Sequence, residues 1–550
     1  MTDLAKKFAD YQEIYTKGKY VTFKSEKVKV MFHGKFFRFE GVKDVITEEQ
    51  ENILVEWVAS DYLEEVDFKF YHEFDRNLTP DSFTLDVTED KVITVKTKNL
   101  RGFRYAMEAF NLLFEKIETG VACPIISLSH HVSFNMRGVI EGFYGIPWTH
   151  QDRVELLSYL GQNRLNTYMY APKDDEYQRK LWRELYPEEN LVKFTELVEK
   201  AEKEMIDFYY MISPGNDIDY TKPEEVKVLT DKLQQMINLG IRNFGLLLDD
   251  IDYILKGNAK KKFSSSASAH AFLIAEVDRF LASELADYDL VACPTEYDNH
   301  HDSLYLEILN RELPKHIPLF WTGPSTLATQ ISTKDIEIMS ASYERPIVIW
   351  DNIPVNDYQK DYELLFLSPY ENRSPKLTNK EFDVVGIVSN PMAQWEMSKF
   401  TVQNMSKYLW NTSAYKVSQS WTETLTEYAG SDYYEALEVF TSFNPNKYTR
   451  EVYTLEQLTK IEAKDEAYIT AELAKLAAAS EKLATLPNEA FQKNVGPWLE
   501  RVKKDVAYWE VVKSGDVTKV KEMKEELSQY PHRIGSDLVA KYVEETGLLK

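Results

Sequence analysis

The sequence predicts an α/β protein built on a (β/α)8 barrel of the TIM type, with an α+β domain before it and a helical domain after it. Between about residues 133 and 430, short apolar runs that end in polar or glycine-containing segments alternate with longer helical patterns. Short β-rich runs dominate before this region, and helical patterns alone continue after it. The predicted domains are therefore 1–132, 133–430 and 431–550.

The first region contains several β-rich runs and one amphipathic helical pattern. The runs lie at 20–23, 28–32, 68–71 and 92–95, and the helical pattern at 102–116. Strands with a single helix in a segment of this length are typical of a small α+β domain.

The middle region holds eight apolar runs, each followed by a helical pattern. They lie at 137–145, 165–173, 206–215, 244–250, 290–297, 317–324, 346–352 and 384–391. One intervening helix is expected from Thr221, which with Glu224 resembles a capping box, to Gly240, with Pro223 in the first turn. Eight such units over about 260 residues match a (β/α)8 barrel, whose active site lies at the carboxyl ends of the strands.

After about residue 430 the strand signal disappears. Long helical patterns, such as those at 455–486 and 498–512, predict a C-terminal helical domain.

Composition excludes several classes of partner. Of the 550 residues 44% are hydrophobic and 13% aromatic, enough for large cores, and the formal charge of −24 disfavours nucleic acid and anionic membranes. Cys123 and Cys293 form no CxxC pair and are predicted to be buried. The N-terminus lacks the apolar core of a signal peptide, and no run of 18 apolar residues occurs, so a cytoplasmic protein is expected unless a leader was removed.

The strongest local signal is a pair of acidic residues at the end of one apolar run. Leu246–Leu248 predict a buried strand that leads directly into Asp249 and Asp250. Neighbouring strand residues point to opposite faces, so both carboxylates reach one pocket only where the strand ends. The alternative is that one or both cap the following helix, a role for which Asp252 is the better candidate.

Paired carboxylates suit the cleavage of glycosidic bonds, because one must be protonated while the other stays ionised. Their mutual repulsion is expected to raise the pKa of one of them. The other strand ends offer hydroxyl, amide and carboxylate groups and an aromatic wall for a sugar: Tyr297, Thr322, Trp350, Asn352, Asp357 and Asn390. Each of these taken singly also fits a structural role in the core.

Other kinds of site find little support. His300 and His301 are adjacent, as are His130 and His131, and no HExxH or EF-hand pattern accompanies them. The sequence also lacks GxSxG and GxxxxGK[ST] patterns. No metal and no cofactor are therefore predicted.

Seven motifs, in order along the barrel, resemble glycoside hydrolase family 84. They are GVIEGFYGIPWTHQDR at 138–153, LNTYMYAPKDD at 165–175, SPGNDI at 213–218, LLLDDID at 246–252, PTEY at 294–297, WTGP at 321–324 and SNPM at 389–392. That family contains protein O-GlcNAcases and bacterial β-N-acetylglucosaminidases, some of them described as hyaluronidases. The preceding α+β domain and the trailing helical domain also match the layout of its bacterial members.

The resemblance implies a role for each residue of the site. Asp249 resembles the carboxylate that orients the 2-acetamido group of the substrate, and Asp250 the general acid/base. Tyr297 and Asn352 resemble hydrogen-bond partners near the acetamido group. Six further residues resemble sugar contacts: Gly142 and Lys173 at ring hydroxyls, Asp357 and Asn390 at the opposite hydroxyls, and Thr322 and Trp350 around the acetyl methyl.

The resemblance implies retaining hydrolysis of terminal β-linked N-acetylglucosamine, in O-GlcNAc-type or glycan substrates, through an oxazoline intermediate. Two alternatives stay open, namely cleavage of a polymer such as hyaluronan and a non-catalytic sugar-binding or scaffold protein. The predicted partners are glycans or glycoproteins that carry N-acetylglucosamine. The natural aglycone, exo or endo preference and oligomeric state cannot be read from the sequence.

Overall fold

The computed structural model of the chain describes residues 3–34, 53–58, 65–359 and 361–549. Within these residues it forms two compact units, Met1–Asn135 with Lys407–Tyr415 and Met136–Ser406 with Lys416–Lys550. The barrel and the C-terminal helices belong to the same unit, so the three predicted domain boundaries stay a prediction.

The first unit contains a mixed sheet, which confirms the predicted N-terminal sheet region. Its described strands are β1 (Glu13–Phe23), β2 (Val28–Gly34), β3 (Val55–Val58), β4 (Phe68–Phe74), β5 (Phe83–Val87), β6 (Val92–Thr97), β7 (Glu115–Ile117) and β8 (Gly120–His130). Their order is β1-β8-β5-β6-β4-β2-β3, with β7 paired to β8. Helices lie at Leu4–Lys7 and Leu100–Asn111, and the longer one packs against β5 and β6.

The predicted end of the helix at residue 116 was wrong. The helix stops at Asn111, and β7 folds back antiparallel on β8 with Ile117 opposite Gly120. Gly120 has a φ of 138°, and a β-carbon there would lie 1.9 Å from the carbonyl oxygen of Phe23. This tight connection requires glycine and supports a hairpin where the apolar spacing alone continued the helix.

The second unit is built around a closed barrel of eight parallel strands in the described chain, which confirms the predicted fold class. The strands are β9 (Met136–Glu141), β10 (Thr167–Tyr170), β11 (Asp207–Ile212), β12 (Asn243–Leu247), β13 (Asp289–Cys293), β14 (Leu319–Trp321), β15 (Ile347–Asp351) and β16 (Val384–Ser389). They follow one another around the barrel, and β16 closes on β9 with Val388 beside Gly138. Each coincides with one of the eight apolar runs.

Apolar side chains fill the barrel interior. The buried cluster comprises Ile140, Met169, Ala171, Tyr209, Met211, Leu247, Val291, Cys293, Phe320, Val348, Trp350 and Val388. The interior is thus a packed core, and the cavity that it borders in the described part of the chain lies toward the strand ends. Both cysteines are buried and free, as predicted.

Helices follow the strands of the barrel in sequence. They lie at His150–Gln162, Glu188–Lys203, Pro223–Asn238, Ala259–Lys262, Ser266–Glu284, Leu304–Glu312, Thr333–Tyr343 and Trp395–Trp410. Pro223 occupies the first turn of its helix, as expected, but the predicted capping box was wrong. The Thr221 hydroxyl donates to Asp219 Oδ1 at 2.6 Å instead, which removes it from the helix terminus.

The C-terminal segment is helical, as predicted. Helices lie at Val417–Ala429, Ser431–Ser442, Leu455–Glu462, Glu466–Leu483, Glu489–Ser514, Val517–Ser528 and Leu538–Thr546. The long pattern at 455–486 is divided where Lys464 adopts a φ of 55°. Among the described helices, none combines the length and the apolar character needed to cross a bilayer.

Candidate active site

A cavity of about 600 Å³ opens at the carboxyl ends of the barrel strands, in the size range of small-molecule sites. Segments that follow seven of the eight strands contribute to its walls. All ten residues singled out from the sequence line it: Gly142, Lys173, Asp249, Asp250, Tyr297, Thr322, Trp350, Asn352, Asp357 and Asn390. They come together across some 250 residues of sequence because parallel strands place their ends on the same rim.

Asp249 and Lys173 form a buried ion pair at the cavity wall. Lys173 Nζ donates to Asp249 Oδ2, and their side chains are only 2% and 7% exposed. Burial opposes the charge on Lys173. The carboxylate of Asp249 and the hydroxyl oxygen of Tyr144 outweigh it and raise the pKa of the amine above its ordinary value. Asp249 Oδ1 is buried and has no hydrogen-bond partner among the described residues. One acceptor atom is therefore available for a ligand.

Asp250 faces the open cavity and is held by two tyrosine hydroxyls. Tyr144 Oη donates to Oδ2 at 2.7 Å, and Tyr297 Oη donates to Oδ1 at 2.9 Å. The residue adopts a left-handed φ of 51° immediately after Asp249. This turn directs the two adjacent carboxylates to the same cavity. Neither caps a helix, since the next described helix begins at Ala259, and Asp252 accepts from the Ile254 backbone instead.

The pKa of Asp250 lies below its ordinary value. Desolvation by the cavity walls opposes ionisation, but the hydroxyls of Tyr144 and Tyr297 and the positive charges of Lys173 and Arg179 outweigh it. The increase expected from repulsion between the two carboxylates is not found at Asp250. Burial raises the pKa of both tyrosines, so they remain neutral donors. These groups favour the ionised form of Asp250.

A chain of amide hydrogen bonds joins four of the rim segments. The Gly142 backbone donates to Asn390 Oδ1 at 3.1 Å, and Asn390 Nδ2 donates to Asn352 Oδ1 at 2.9 Å. Asn352 Nδ2 donates in turn to the carbonyl oxygen of Thr326 at 2.8 Å. These bonds fix the position of each amide, so the polar groups are preorganised before a ligand arrives.

Trp350 forms the aromatic wall. Its Nε1 donates to Asn352 Oδ1 at 3.0 Å, which orients the ring. A β-carbon on Gly142 would lie 2.3 Å from this ring, so only glycine allows the ring to close the cavity there. Thr322 lies on the same side, where its hydroxyl donates to the carbonyl oxygen of Ser325 at 3.2 Å.

Asp357 lines the cavity from the segment that follows β15. Its Oδ2 accepts from the Tyr144 backbone at 2.8 Å. Burial raises the pKa of this carboxyl above its ordinary value. It is half-buried and lines the cavity, so one of its oxygens can serve sugar hydroxyls while the other holds the loop that carries Tyr144.

Comparisons with known protein families and structures agree with the geometry of the site. Residues 137–442, more than half of the chain, match the model of a family described as beta-N-acetylglucosaminidase. The chain belongs to this family, glycoside hydrolase family 84. The protein O-GlcNAcases of Mus musculus and Rattus norvegicus are each 38% identical to it over 277 residues. The match covers 49% of the chain but only 29% of either relative's length.

Solved structures resemble the chain over more of its length. A mutant of Thermobaculum terrenum O-GlcNAc hydrolase is 31% identical, with a TM-score of 0.68, and the match covers 76% of this chain and 94% of that one. The structure titled CpGH84B is 22% identical and has a TM-score of 0.76 over 98% of this chain and 99% of its own. The latter likeness shows that the fold of family 84 extends over nearly the whole chain.

Two buried carboxylates, Glu141 and Asp351, form ion pairs at the ends of strands that lead into the rim of this family 84 site. Glu141 accepts from Arg153 Nε and Nη2, both at 2.8 Å, and from the Tyr168 hydroxyl at 2.6 Å. Asp351 accepts from Arg373 Nε at 2.8 Å and Nη2 at 2.7 Å. Each carboxylate ends a strand next to a site residue, so it fixes the point at which the following loop begins.

Several cavity residues were missed by sequence reasoning. They are Tyr144, Cys293, Asp298, Ser325, Thr326, Leu327, Val355, Tyr358, Gln359 and Tyr448. Tyr144 and Cys293 lie within or beside the quoted motifs, and that position could have indicated them. Tyr448 follows the barrel by some 60 residues, and its hydroxyl donates to Asp361 Oδ2 at 2.6 Å. Nothing in the local sequence pattern indicates that contact.

The adjacent histidines that were considered as metal ligands, His300 and His301, lie outside the cavity. His300 and His301 lie side by side with ring centroids 5.1 Å apart, and neither lines the site. Within the described ranges no group of three or more His, Cys, Asp or Glu side chains is arranged to hold a metal ion.

Proposed function

We propose that the protein is a retaining β-N-acetylglucosaminidase that removes terminal β-linked N-acetylglucosamine by substrate-assisted catalysis. The observation that carries the proposal is the pair of adjacent aspartates with different environments. Asp249 presents one unpartnered, buried oxygen to the cavity, and Asp250 faces the open cavity between two neutral hydroxyls. One carboxylate can thus orient a substrate amide while the other exchanges a proton.

The substrate would lie with its acetamido group between Asp249 and the aromatic wall. The N–H of that group is the natural donor to Asp249 Oδ1, which otherwise leaves a buried acceptor unsatisfied. Trp350 and Thr322 enclose the acetyl methyl, and Tyr297 lies near the carbonyl. Asp357 and Asn390 serve ring hydroxyls on the opposite side.

In the first step the acetamido carbonyl oxygen attacks the anomeric carbon. The bond from that carbon to the glycosidic oxygen breaks, and the oxygen takes a proton from Asp250. A cyclic oxazolinium ion remains, and its N–H donates to Asp249, whose negative charge stabilises the cation. Because the nucleophile belongs to the substrate, correct orientation replaces a bimolecular encounter, which can contribute roughly 7–11 kcal/mol.

In the second step water attacks the anomeric carbon from the face that the leaving group vacated. Asp250, now a carboxylate, accepts the proton of the water as the oxazoline opens. Two inversions give net retention, and the acetamido group is regenerated. The hydroxyls of Tyr144 and Tyr297 stabilise the ionised form of Asp250 that this step needs.

The first step needs the protonated form of Asp250, although its surroundings lower its pKa. A bound sugar excludes water from the cavity and brings its glycosidic oxygen to the carboxyl. Desolvation disfavours the charge and raises the pKa of an acidic group. Substrate binding therefore prepares Asp250 for proton donation, and departure of the aglycone restores its ionised environment.

The relatives with printed names, protein O-GlcNAcases and an O-GlcNAc hydrolase, suggest the substrate class. We include N-acetylglucosamine linked to serine or threonine of proteins among the substrates of this chain. Partners would accordingly be glycoproteins or glycans with an exposed terminal N-acetylglucosamine.

A pair of aryl glycosides tests this function. The purified protein should hydrolyse an aryl β-N-acetylglucosaminide and leave the aryl β-glucoside, which lacks the acetamido nucleophile, essentially untouched. Proton NMR at early times should find the β-anomer as the first product. Hydrolysis of both glycosides at similar rates, or an α-anomer as first product, would contradict the proposal.

A further inference from the structure

Arg179 lies beside Asp250, the proposed acid/base, but is not among the residues that line the sugar cavity. It follows Lys173 by six residues, in the segment after β10. Its Nη1 donates to the Tyr144 hydroxyl at 2.8 Å, and its Nη2 donates to the backbone carbonyl oxygen of Asp250 at 3.3 Å. One guanidinium therefore contacts both the hydroxyl that binds the Asp250 carboxylate and the backbone that carries it.

The backbone contact occurs where the chain is strained. Asp250 has a φ of 51°, a left-handed conformation that non-glycine residues rarely adopt. Such a conformation persists when the surrounding structure fixes it. The fork of a guanidinium can donate to two acceptors in a fixed geometry, which an ammonium group cannot do.

Arg179 also differs electrostatically from the other cation of the site. Lys173 is compensated by its ion pair with Asp249, whereas Arg179 forms no ion pair with a carboxylate side chain in the described residues. Its guanidinium also stacks near the Tyr144 ring, 5.5 Å from the centroid. Titratable and charged side chains that face Asp250 come from five segments: Tyr144, Lys173, Arg179, Asp249, Tyr297 and Asp357.

We propose that Arg179 is a positioning residue for the acid/base: it holds the Tyr144 hydroxyl on the Asp250 carboxylate and fixes the Asp250 backbone carbonyl. This inference rests on the proposed function, since it assigns Arg179 a role through Asp250. Arg179 would not touch the substrate. Its positive charge lies two hydrogen bonds away from the carboxylate and acts on it through Tyr144.

A specific pH effect follows. A cation favours the ionised form of a neighbouring carboxylate, and Arg179 contributes to the low pKa of Asp250. Loss of the cation should raise that pKa. Because Asp250 must be protonated for the first step, the alkaline limb of activity should move to higher pH. A shift of about 0.5–1 unit is expected, below the 1–3 units of a direct ion pair, because the contact is indirect.

The test uses Arg179→Met, Arg179→Lys and a matched control, Lys180→Met, in the full chain. Lys180 is the next residue, with a side chain 77% exposed, and pairs only with Glu176 at 3.4 Å in the described structure. The Lys180→Met substitution removes the same unit of charge from the same segment, at a residue that contacts neither Tyr144 nor Asp250. The pH profile of kcat on an alkyl β-N-acetylglucosaminide, whose leaving group needs the proton of Asp250, reports the ionisations of the enzyme–substrate complex.

We expect Arg179→Met to lower kcat about 10–100-fold with little change in KM, and to shift the alkaline limb upward. Lys180→Met should match the wild type in both. Arg179→Lys keeps the charge but loses the fork, so its alkaline limb should stay near that of the wild type while kcat falls. A general loss of stability would not shift the alkaline limb in Arg179→Met while leaving it unchanged in Arg179→Lys.

The outcomes are distinguishable. An inactive wild type contradicts the proposed function itself. If the wild type is active but Arg179→Met has the same kcat and the same alkaline limb as Lys180→Met, the proposed role of Arg179 is overturned. If Arg179→Met fails to fold by its thermal melt, Arg179→Lys decides, and an unchanged kcat there overturns the proposal.

Discussion

Replacement of Asp250 by alanine should nearly abolish hydrolysis of alkyl N-acetylglucosaminides and spare the first step on activated aryl ones. An alkoxide such as that of serine is a poor leaving group without a proton, whereas a nitrophenolate leaves readily. General acid assistance is worth about 10²–10⁴-fold, so the loss on an alkyl or peptide glycoside should lie in this range. Steady-state rates on a serine glycoside and a dinitrophenyl glycoside measure the contrast.

Azide supplies the control for this variant. In Asp250→Ala the second step lacks its base, but an anion attacks the oxazoline without any need for one. Added azide should therefore restore turnover on the aryl glycoside and give a β-glycosyl azide. Equal losses on both substrates, with no effect of azide, would remove Asp250 from the acid/base role. Asp250→Asn, of the same size and able to bond Tyr144 and Tyr297, should behave like Asp250→Ala.

The second large effect is expected at Asp249. Asp249→Asn replaces the acceptor of the acetamido N–H and should lower kcat on aryl and alkyl glycosides alike, by about 10²–10³-fold, the usual cost of losing an electrostatic contact to the developing charge. Azide should not restore it, because attack by the acetamido oxygen itself is impaired. A strong dependence on the leaving group in this variant would reverse the roles of the two aspartates.

Stability must be measured alongside activity in Asp249 variants. Asp249→Ala leaves the Lys173 ammonium buried without its partner, since the two side chains are 2% and 7% exposed. Removing one member of a buried pair costs about 3–5 kcal/mol. Both variants should therefore melt below the wild type, Asp249→Asn by less because its Oδ1 can still accept from Lys173 Nζ. The double variant Lys173→Met with Asp249→Asn separates the effect on stability from the effect on activity.

The barrel could be predicted from the sequence because its strands are buried on both faces. Runs such as 244–248 read as continuous apolar segments, and the change to polar residues marks where each strand ends. Since parallel strands place these ends on one rim, the sequence also indicated which residues share the cavity. Closed topology then brings together Gly142 and Asn390, whose segments follow β9 and β16.

Contacts that depend on the path of a loop could not be predicted in this way. The hydroxyl of Tyr144 reaches Asp250 from a loop whose start is anchored by Glu141 and whose backbone N–H donates to Asp357. The Lys173–Asp249 pair joins segments from β10 and β12, which are not neighbours in the barrel. Apolar periodicity carries no information about such pairings. Apolar residues that continue at helical spacing also led the helix predicted at 102–116 to extend into β7, the first strand of a hairpin.

In the proposed mechanism the substrate's own acetamido oxygen is the nucleophile. Aryl β-glucosaminides with N-acetyl, N-fluoroacetyl, N-difluoroacetyl and N-trifluoroacetyl groups test it most directly, because each fluorine withdraws electrons from that oxygen without a large change in size. Acetamido participation predicts that kcat/KM falls steadily along the series. A flat response would contradict the account and indicate that a side chain of the protein attacks instead.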